Sequence, residues 1–345
     1  MSLLRILHLV GSAQDNFYCN LSRLYAQDCL TSTAERDRYD FVIAYITPDS
    51  LWRFPSSLSP EDIADAQSMP MFDAIQFITT QNIDLVLPQM FCIPGMTYYR
   101  ALFDLLKIPY IGNTPDVMGI TAHKSRTKAI VAAAGVKVPR GELLRQGDIP
   151  TILPPAVVKP VNSDNSFGVA LVKDFTEYDS ALKNAFEYAS EVIVEEFIHL
   201  GREVRCGIIV KSGELVGLPL EEYSLDPQEK PIRNYADKLK QTDDGNLHLT
   251  AKDITKAWIV DSNDLITQKI QQVAKKCHQA LGCRHYSLFD FRIDPKGEPW
   301  FLEAGLYCSF APKSVISCMA KAAGISLNEL LTAAINETLG NNQKV

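Results

Sequence analysis

Two acidic side chains stand inside strongly apolar runs near the end of the chain: Asp290 in Ser287-Leu288-Phe289-Asp290-Phe291-Arg292-Ile293-Asp294, and Glu303 in Trp300-Phe301-Leu302-Glu303-Ala304-Gly305. A carboxylate in such surroundings is costly unless a cation or strong donors compensate it. Pro295-Lys296-Gly297 reads as the turn of a hairpin joining the two runs. A connecting loop of about four residues sets the carboxylates on one face as diagonal neighbours, whereas one of about three turns them to opposite faces. On one face they suit a magnesium ion that takes its remaining ligands from nucleotide phosphates, with a structural salt bridge as the competing account. Arg292, two residues past Asp290, shares its face. There it is placed to steady an oxyanion or a leaving phosphate, or to pair with either carboxylate.

Upstream, Lys159 closes the apolar run Ala156-Val157-Val158, and an ammonium on a stem held in apolar surroundings calls for an anionic partner such as phosphate. The loop from Val161 to Gly168 offers hydroxyl, amide and backbone N–H donors suited to covering phosphate oxygens, though it is no Walker loop and an ordinary hairpin connection explains it too. Lys124 supplies a second cation beside Arg126 and Lys128, both read as solvated helix lysine and arginine. The strand Val192-Ile193-Val194 ends in Glu195 and Glu196, followed by Phe197-Ile198 and Gly201-Arg202-Glu203. A nucleotide hinge would use Glu195 on an exocyclic amine, the backbone near Ile198 on the ring edge and Glu203 on ribose hydroxyls; solvated strand ends would need none of this. Past Gly305, Lys313-Ser314 opens a helix whose N-terminus invites the carboxylate of an amino acid, while an ordinary helix start explains the serine as well.

These residues need elements to hold them. In the first third, Leu3 to Val10, Phe41 to Ile46, Asp84 to Leu87 and Tyr110 to Ile111 read as strands with helices between, which makes an open, mostly parallel sheet. Ligands of such a sheet sit beyond the carboxyl ends of its strands, where Gly11-Ser12 and the Pro88 to Gly95 segment fall; Gly11 serves equally as a plain turn. Thr121 is expected to cap a helix that runs to Ala134 and closes at Gly135. Beyond it come strands at Ala156 to Lys159, Val169 to Val172 and Val192 to Glu196, and a helix from Glu177 to about Ala189. Tyr223 to Thr250 is polar and too long for an ordinary connection, so it reads as a lid, or else as surface disorder. Three units follow: 1–112, 113–197 and 198–345.

The bulk numbers narrow the partners. A net charge of −7, from 34 basic and 41 acidic residues, argues against nucleic acid. The apolar opening Met1 to Val10 carries Arg5 and His8 and is too short to span a bilayer, so a cytoplasmic protein with no membrane partner is expected. Eight cysteines without a C-x-x-C pair read as reduced thiols, and the six histidines lack zinc spacing, so any metal should be oxygen-bound.

Taken in order, K-x-x-x-K at Lys124, V-K-P with its serine loop, V-E-E-F-I, D-F-x-x-D and L-E-A resemble the D-alanine–D-alanine ligase branch of the ATP-grasp superfamily, from about Leu105 to Ala323. Before that only the alternating pattern and Ile108-Pro109-Tyr110-Ile111-Gly112 look familiar. The resemblance implies an α/β protein of ATP-grasp fold, an N-terminal open parallel sheet domain followed by two α+β domains clasping ATP. It implies ATP phosphates on Lys124 and Lys159, Ser166 in the phosphate-covering loop, adenine on Glu195 and Ile198 beside Glu196, and ribose on Glu203. Asp290 and Glu303 would bind one or two magnesium ions, Ser314 with Lys313 the second substrate's carboxylate, and Lys238 would reach over the phosphates from the lid. Relatives are often homodimers.

Departures matter as much. The family's E-x-N reads Glu303-Ala304-Gly305, which removes a ligand of a second magnesium; Leu288 stands where an arginine is expected, and Arg292 is the candidate to replace its charge. No early glutamate grips an ammonium, since Gly11-Ser12-Ala13-Gln14-Asp15-Asn16-Phe17 stands there. These features, with Ile6-Leu7-His8-Leu9-Val10-Gly11-Ser12 and Phe17-Tyr18-Cys19, look like the ligases that complete mycosporine-like sunscreen pigments. That resemblance implies phosphorylation of the enaminone oxygen of mycosporine-glycine by ATP and its displacement by the amine of serine, threonine or a similar amino acid. Tyr18, Gln89, Phe91 and Tyr98 would meet the ring. The alternatives are a dipeptide ligase joining two amino acids, and an ATP-binding regulatory protein without turnover.

Overall fold

A computed structural model describes residues 3–33, 35, 37–163, 166–233, 239–241, 247–249 and 256–341. In the first third, β1 (Leu4–Gly11), α1 (Asn16–Thr33), β2 (Tyr39–Ile46), β3 (Trp52–Arg53), α2 (Pro60–Asp65), α3 (Met71–Thr80), β4 (Leu85–Pro88), α4 (Ile93–Met96) and α5 (Tyr98–Leu105) follow one another. β1 pairs in parallel with β2 and β4, and β3 adds an antiparallel edge. Ile6, Leu7, Leu9 and Val10 are all buried, as a parallel strand covered on both faces requires. Gly11 ends β1 at φ +99°, where a Cβ would collide with the Ile46 backbone, so close approach to β2 demands glycine here. The strand expected at Tyr110 to Ile111 shrinks to one parallel bridge between Tyr110 and Val86.

The helix expected from Thr121 is instead two helices, α6 (Pro115–Thr121) and α7 (Lys124–Ala133). Thr121 ends the first, its hydroxyl donating to the Val117 carbonyl at 2.7 Å, and is no cap. His123 takes extended angles between them, and its Nδ1 accepts the Arg126 N–H at 3.4 Å. At the far end Gly135, at φ +77°, closes α7 as expected, with the Val136 N–H reaching back to the Val131 carbonyl at 3.0 Å.

Next come β5 (Gly141–Arg145), β6 (Ala156–Pro160), β7 (Ala170–Val172), α8 (Tyr178–Phe186) and β8 (Glu191–Glu196). They form an antiparallel sheet in the order β5-β8-β6-β7, with Tyr178, Ala181, Leu182 and Ala185 of α8 packed on Val158, Val172 and Val194. The remainder comprises β9 (Arg202–Lys211), β10 (Glu214–Gly217), β11 (Glu221–Tyr223), the paired β12 (Leu239–Gln241) and β13 (Leu247–Leu249), β14 (Ala257–Ile259), α9 (Leu265–Ala280), β15 (Tyr286–Ile293), β16 (Pro299–Gly305), α10 (Val315–Ala322) and α11 (Leu327–Asn341). Its main sheet runs β14-β11-β9-β15-β16, with β10 paired to β9.

β15 is buried along its whole length, and its alternation sorts its side chains. Phe289, Phe291 and Ile293 pack with α9, and with Val117, Met118 and Val131 of α6 and α7, which therefore lean on this sheet. Tyr286 and Leu288 face the other way, toward α10, α11 and the first sheet. Asp290 and Arg292 share that second face and look into a cleft beneath the β5-β8-β6-β7 sheet. All eight cysteines are free, and no described helix is long and apolar enough to cross a membrane.

Candidate active site

The hairpin that carries the two carboxylates meets neither geometry expected for it. Its connection runs from 294 to 298, with Ile293 opposite Pro299, Arg292 opposite Trp300 and Phe291 opposite Phe301. Continued, that register would set Leu302 against Asp290 and turn Glu303 to the other face. A β-bulge between Asp290 and Phe291 takes up one extra residue of β16, so Glu303 stands directly across from Asp290. Leu302 and Glu303 consequently line the same cleft.

Asp290 is buried and held by two guanidinium groups. Arg205, its cross-strand neighbour on β9, binds it through Nε at 2.7 Å and Nη2 at 3.1 Å, and Arg233 adds Nη2 at 2.7 Å. Arg233 also binds Glu203 at 2.7 Å and lies over the Tyr223 ring, 3.9 Å from its centre. Arg292 pairs with neither Asp290 nor Glu303: it donates to Glu203 at 2.5 Å, to the Ile198 carbonyl at 3.2 Å and to the Pro231 carbonyl at 2.8 Å. Burial opposes ionisation of Glu203, yet Arg233 and Arg292 together hold its carboxyl below the usual range. Burial likewise opposes the charge on Arg205, and Asp290 more than restores it, raising its pKa. The sequence reading passed over Arg205 and Arg233. For Arg205 a signal existed: Glu203 and Arg205 lie two apart in an apolar strand, hence on one face.

On the opposite wall, Lys124 donates to the Ser163 carbonyl at 2.6 Å and lies 3.7 Å from Glu303. Lys159 donates to Glu195 at 3.0 Å, and Lys128 binds the other oxygen of the same carboxylate. Lys128, expected to be solvated, is thus buried, because the face of α7 formed by Lys124, Thr127, Lys128 and Val131 turns inward. Ser166 stands at the cleft with φ +62°, and Glu196 accepts the Arg140 N–H at 3.0 Å. One cleft thus gathers Lys124, Lys159, Ser166, Glu195, Glu196, Ile198, Glu203, Asp290, Arg292 and Glu303.

Other expected contacts lie elsewhere. Gln89 is fully buried and spent on structure, bonded to His8 at 3.0 Å and donating to the Ser309 carbonyl at 2.5 Å. Tyr18 packs with Phe17, Leu21 and Phe91, and Tyr98 is exposed. Ser314 takes the N-cap position of α10 without a side-chain cap, its hydroxyl lying 2.8 Å from that of Ser317, and Lys313 is exposed; neither lines the cleft. Lys238 lies outside the described residues. Phe91 does touch Tyr307, ring centres 5.4 Å apart, and Tyr307 lines a smaller pocket that shares Lys124 and Glu303 with the cleft. No group of three or more His, Cys, Asp and Glu side chains able to hold a metal ion occurs among the described residues.

A cleft between two antiparallel sheets, lined by paired basic and acidic side chains, in a chain that begins with an open, mostly parallel sheet, is the arrangement of an ATP-grasp ligase. Residues 142–336 match the family model described as the D-ala D-ala ligase C-terminus. The D-alanine–D-alanine ligase of Brucella anthropi is 32% identical over 247 residues, covering 69% of this chain and 75% of that one. Among solved structures, the D-alanine–D-alanine ligase from Coxiella burnetii superposes with a TM-score of 0.78 at 20% identity, covering 99% of this chain and 96% of the other. The Bacillus anthracis enzyme complexed with ATP gives 0.72 at 21% identity and 99% of both chains. This chain belongs to the D-alanine–D-alanine ligase family. It is accordingly an ATP-dependent ligase that forms a C–N bond.

Proposed function

We propose that this ligase transfers the terminal phosphoryl group of ATP to an oxygen of a small acceptor and then joins the acceptor to the amine of an amino acid. The observation that carries the reading is the pairing of Asp290 with Glu303 across the bulge, with Glu303 3.7 Å from the Lys124 ammonium and both in the cleft that holds Lys159. In the first step the acceptor oxygen bonds to phosphorus and ADP leaves. In the second the amine attacks the activated carbon, the C–O bond to phosphate breaks, and phosphate and a proton are released. Lys124 and Lys159 offset the phosphate charge, Glu203 takes the ribose hydroxyls, and the backbone of the Glu196–Ile198 hinge faces the adenine, since both oxygens of the Glu195 side chain are engaged by Lys128 and Lys159. Ser166 covers the phosphates.

Asp290 and Glu303 face each other across the strands and would hold magnesium once Arg233, which shares Asp290 with Arg205, gives way to the ion. When bound, that ion would supply charge neutralisation at the terminal phosphates. Gly305 adds no ligand, so two protein carboxylates favour a single tightly held ion.

Family membership favours amino-acid pairs as substrates, in the manner of the D-alanine–D-alanine relatives. The opening segment supports the finer reading, an acceptor such as mycosporine-glycine joined to serine or threonine. Its acidic side chain, Asp15, is engaged in starting α1, where it accepts the Tyr18 N–H at 2.8 Å, and so is not presented to a substrate ammonium. Incubation with ATP, magnesium, a panel of amino acids and either D-alanine or mycosporine-glycine, followed by phosphate release, absorbance and mass, separates the two. Phosphate produced without dependence on any amino acid would exclude both.

A further inference from the structure

We infer that Lys128 is a positioning residue of the nucleotide cleft: it pins one oxygen of the buried Glu195 so that Lys159, held by the other oxygen, keeps its ammonium directed at the phosphates. The inference rests on the reading of this cleft as the ATP site, and it concerns a side chain that does not itself line the cleft.

The three groups come from three elements. Lys128 sits one turn past Lys124 on the buried face of α7, with its side chain 5% exposed. Glu195 lies on β8 with its side chain 2% exposed, and Lys159 on β6, diagonal to it in the register that sets Val157 against Glu195. Lys159 alone of the three is partly open, at 15%, and it lines the cleft through that opening. A single lysine facing a buried carboxylate would form a closed neutral pair with nothing left to attract an anion. Two lysines on one carboxylate leave one positive charge in excess, and burial of Lys128 places the excess on Lys159.

If Lys128 lost its proton, Glu195 would have only Lys159 to compensate it, and the cluster would fall from one net positive charge to none. Burial drives the Lys128 pKa down to about 8, against the opposing pull of Glu195; Lys159 adds to the depression, and Glu303 resists it. Lys124 stands one turn back on the same helix, turned to Ser163 and Glu303. The charge on Lys128 is therefore present below about pH 8 and is lost above it, well before a solvated lysine would titrate.

The test is calorimetric binding of a non-hydrolysable ATP analogue with magnesium, from about pH 6.5 to about pH 9.5. Wild type, Lys128→Arg, Lys128→Met, Glu195→Gln and the Lys128→Met/Glu195→Gln double variant are compared, with circular dichroism checking that each is folded. Wild-type affinity is expected to fall as pH rises through about 8, and in Lys128→Arg, which keeps its charge, that fall should move up by a unit or more. Lys128→Met should bind roughly tenfold more weakly at neutral pH, and the double variant no more weakly than Lys128→Met, as a shared route through Glu195 requires. An unshifted alkaline limb in Lys128→Arg, or wild-type affinity in a folded Lys128→Met, overturns the inference while leaving the ATP site intact. Failure of wild type to bind the analogue at any pH overturns the ATP-site reading, and the inference falls with it.

Discussion

At the scale of single residues, the site is a set of buried charges that compensate one another, so each removal has a different signature. Glu303 is half-buried at the mouth of the pair, and Glu303→Gln should lower turnover by orders of magnitude in a phosphate-release assay while nucleotide binding persists. A protein that only binds ATP would have no turnover to lose. Arg205 behaves differently because it clamps Asp290 from the neighbouring strand through two hydrogen bonds. Arg205→Met leaves the buried Asp290 with Arg233 alone and should cost about 2 kcal/mol of folding stability, seen as a lower urea midpoint. Adding Asp290→Asn to that variant should recover part of the loss, since the under-compensated charge is then gone.

At the scale of elements, the short strap from Pro231 to Arg233 lies inside the cleft. Its Pro231 carbonyl accepts from Arg292, Ile232 lines the wall, and Arg233 spans Glu203 and Asp290. A nucleotide that uses Glu203, with a cation on Asp290, has to displace this strap. Arg233→Ala should therefore bind the magnesium–nucleotide complex roughly fivefold more tightly, corresponding to about 1 kcal/mol of contacts no longer broken, as a lower Kd would show. An unchanged or weaker Kd would place Arg233 among the groups that hold the nucleotide. The bulge in β16 is an element-scale device too, because one added residue decides which face Glu303 occupies.

At the scale of the whole molecule, the first sheet is tied to the last by buried polar contacts. Asn113 donates to the Tyr286 and Leu306 carbonyls at 3.1 Å each and accepts the Arg284 N–H at 2.7 Å, and His285 accepts the Gly112 N–H at 2.9 Å. Three histidines are held neutral by burial, which pushes His8 and His278 down to about 4 and His285 to about 3. The unfolded chain binds those protons near pH 6.5 and the native state does not, so their contribution to stability is complete above about 6.5 and is lost as pH falls toward 4. Urea midpoints measured between about pH 7.5 and about pH 4.5 should decline steadily with acidification. A flat profile would show these histidines to be accessible in the native state.

The sequence by itself determined the elements and the chemistry they carry. Apolar runs at β1, β6, β8 and β15 specify strands locally, and costly polar residues within them, Lys159, Glu195, Asp290 and Arg292, point to one charged site because burial penalises each unless others compensate it. Only the tertiary structure decided partners and faces. The bulge that brings Glu303 across from Asp290 depends on pairing between strands, and the inward turn of Lys128 depends on which sheet α7 packs against. Gln89 is buried on Ser309, and Arg292 is turned to Glu203, for the same reason: contacts far apart in sequence are settled by packing, which local periodicity does not encode.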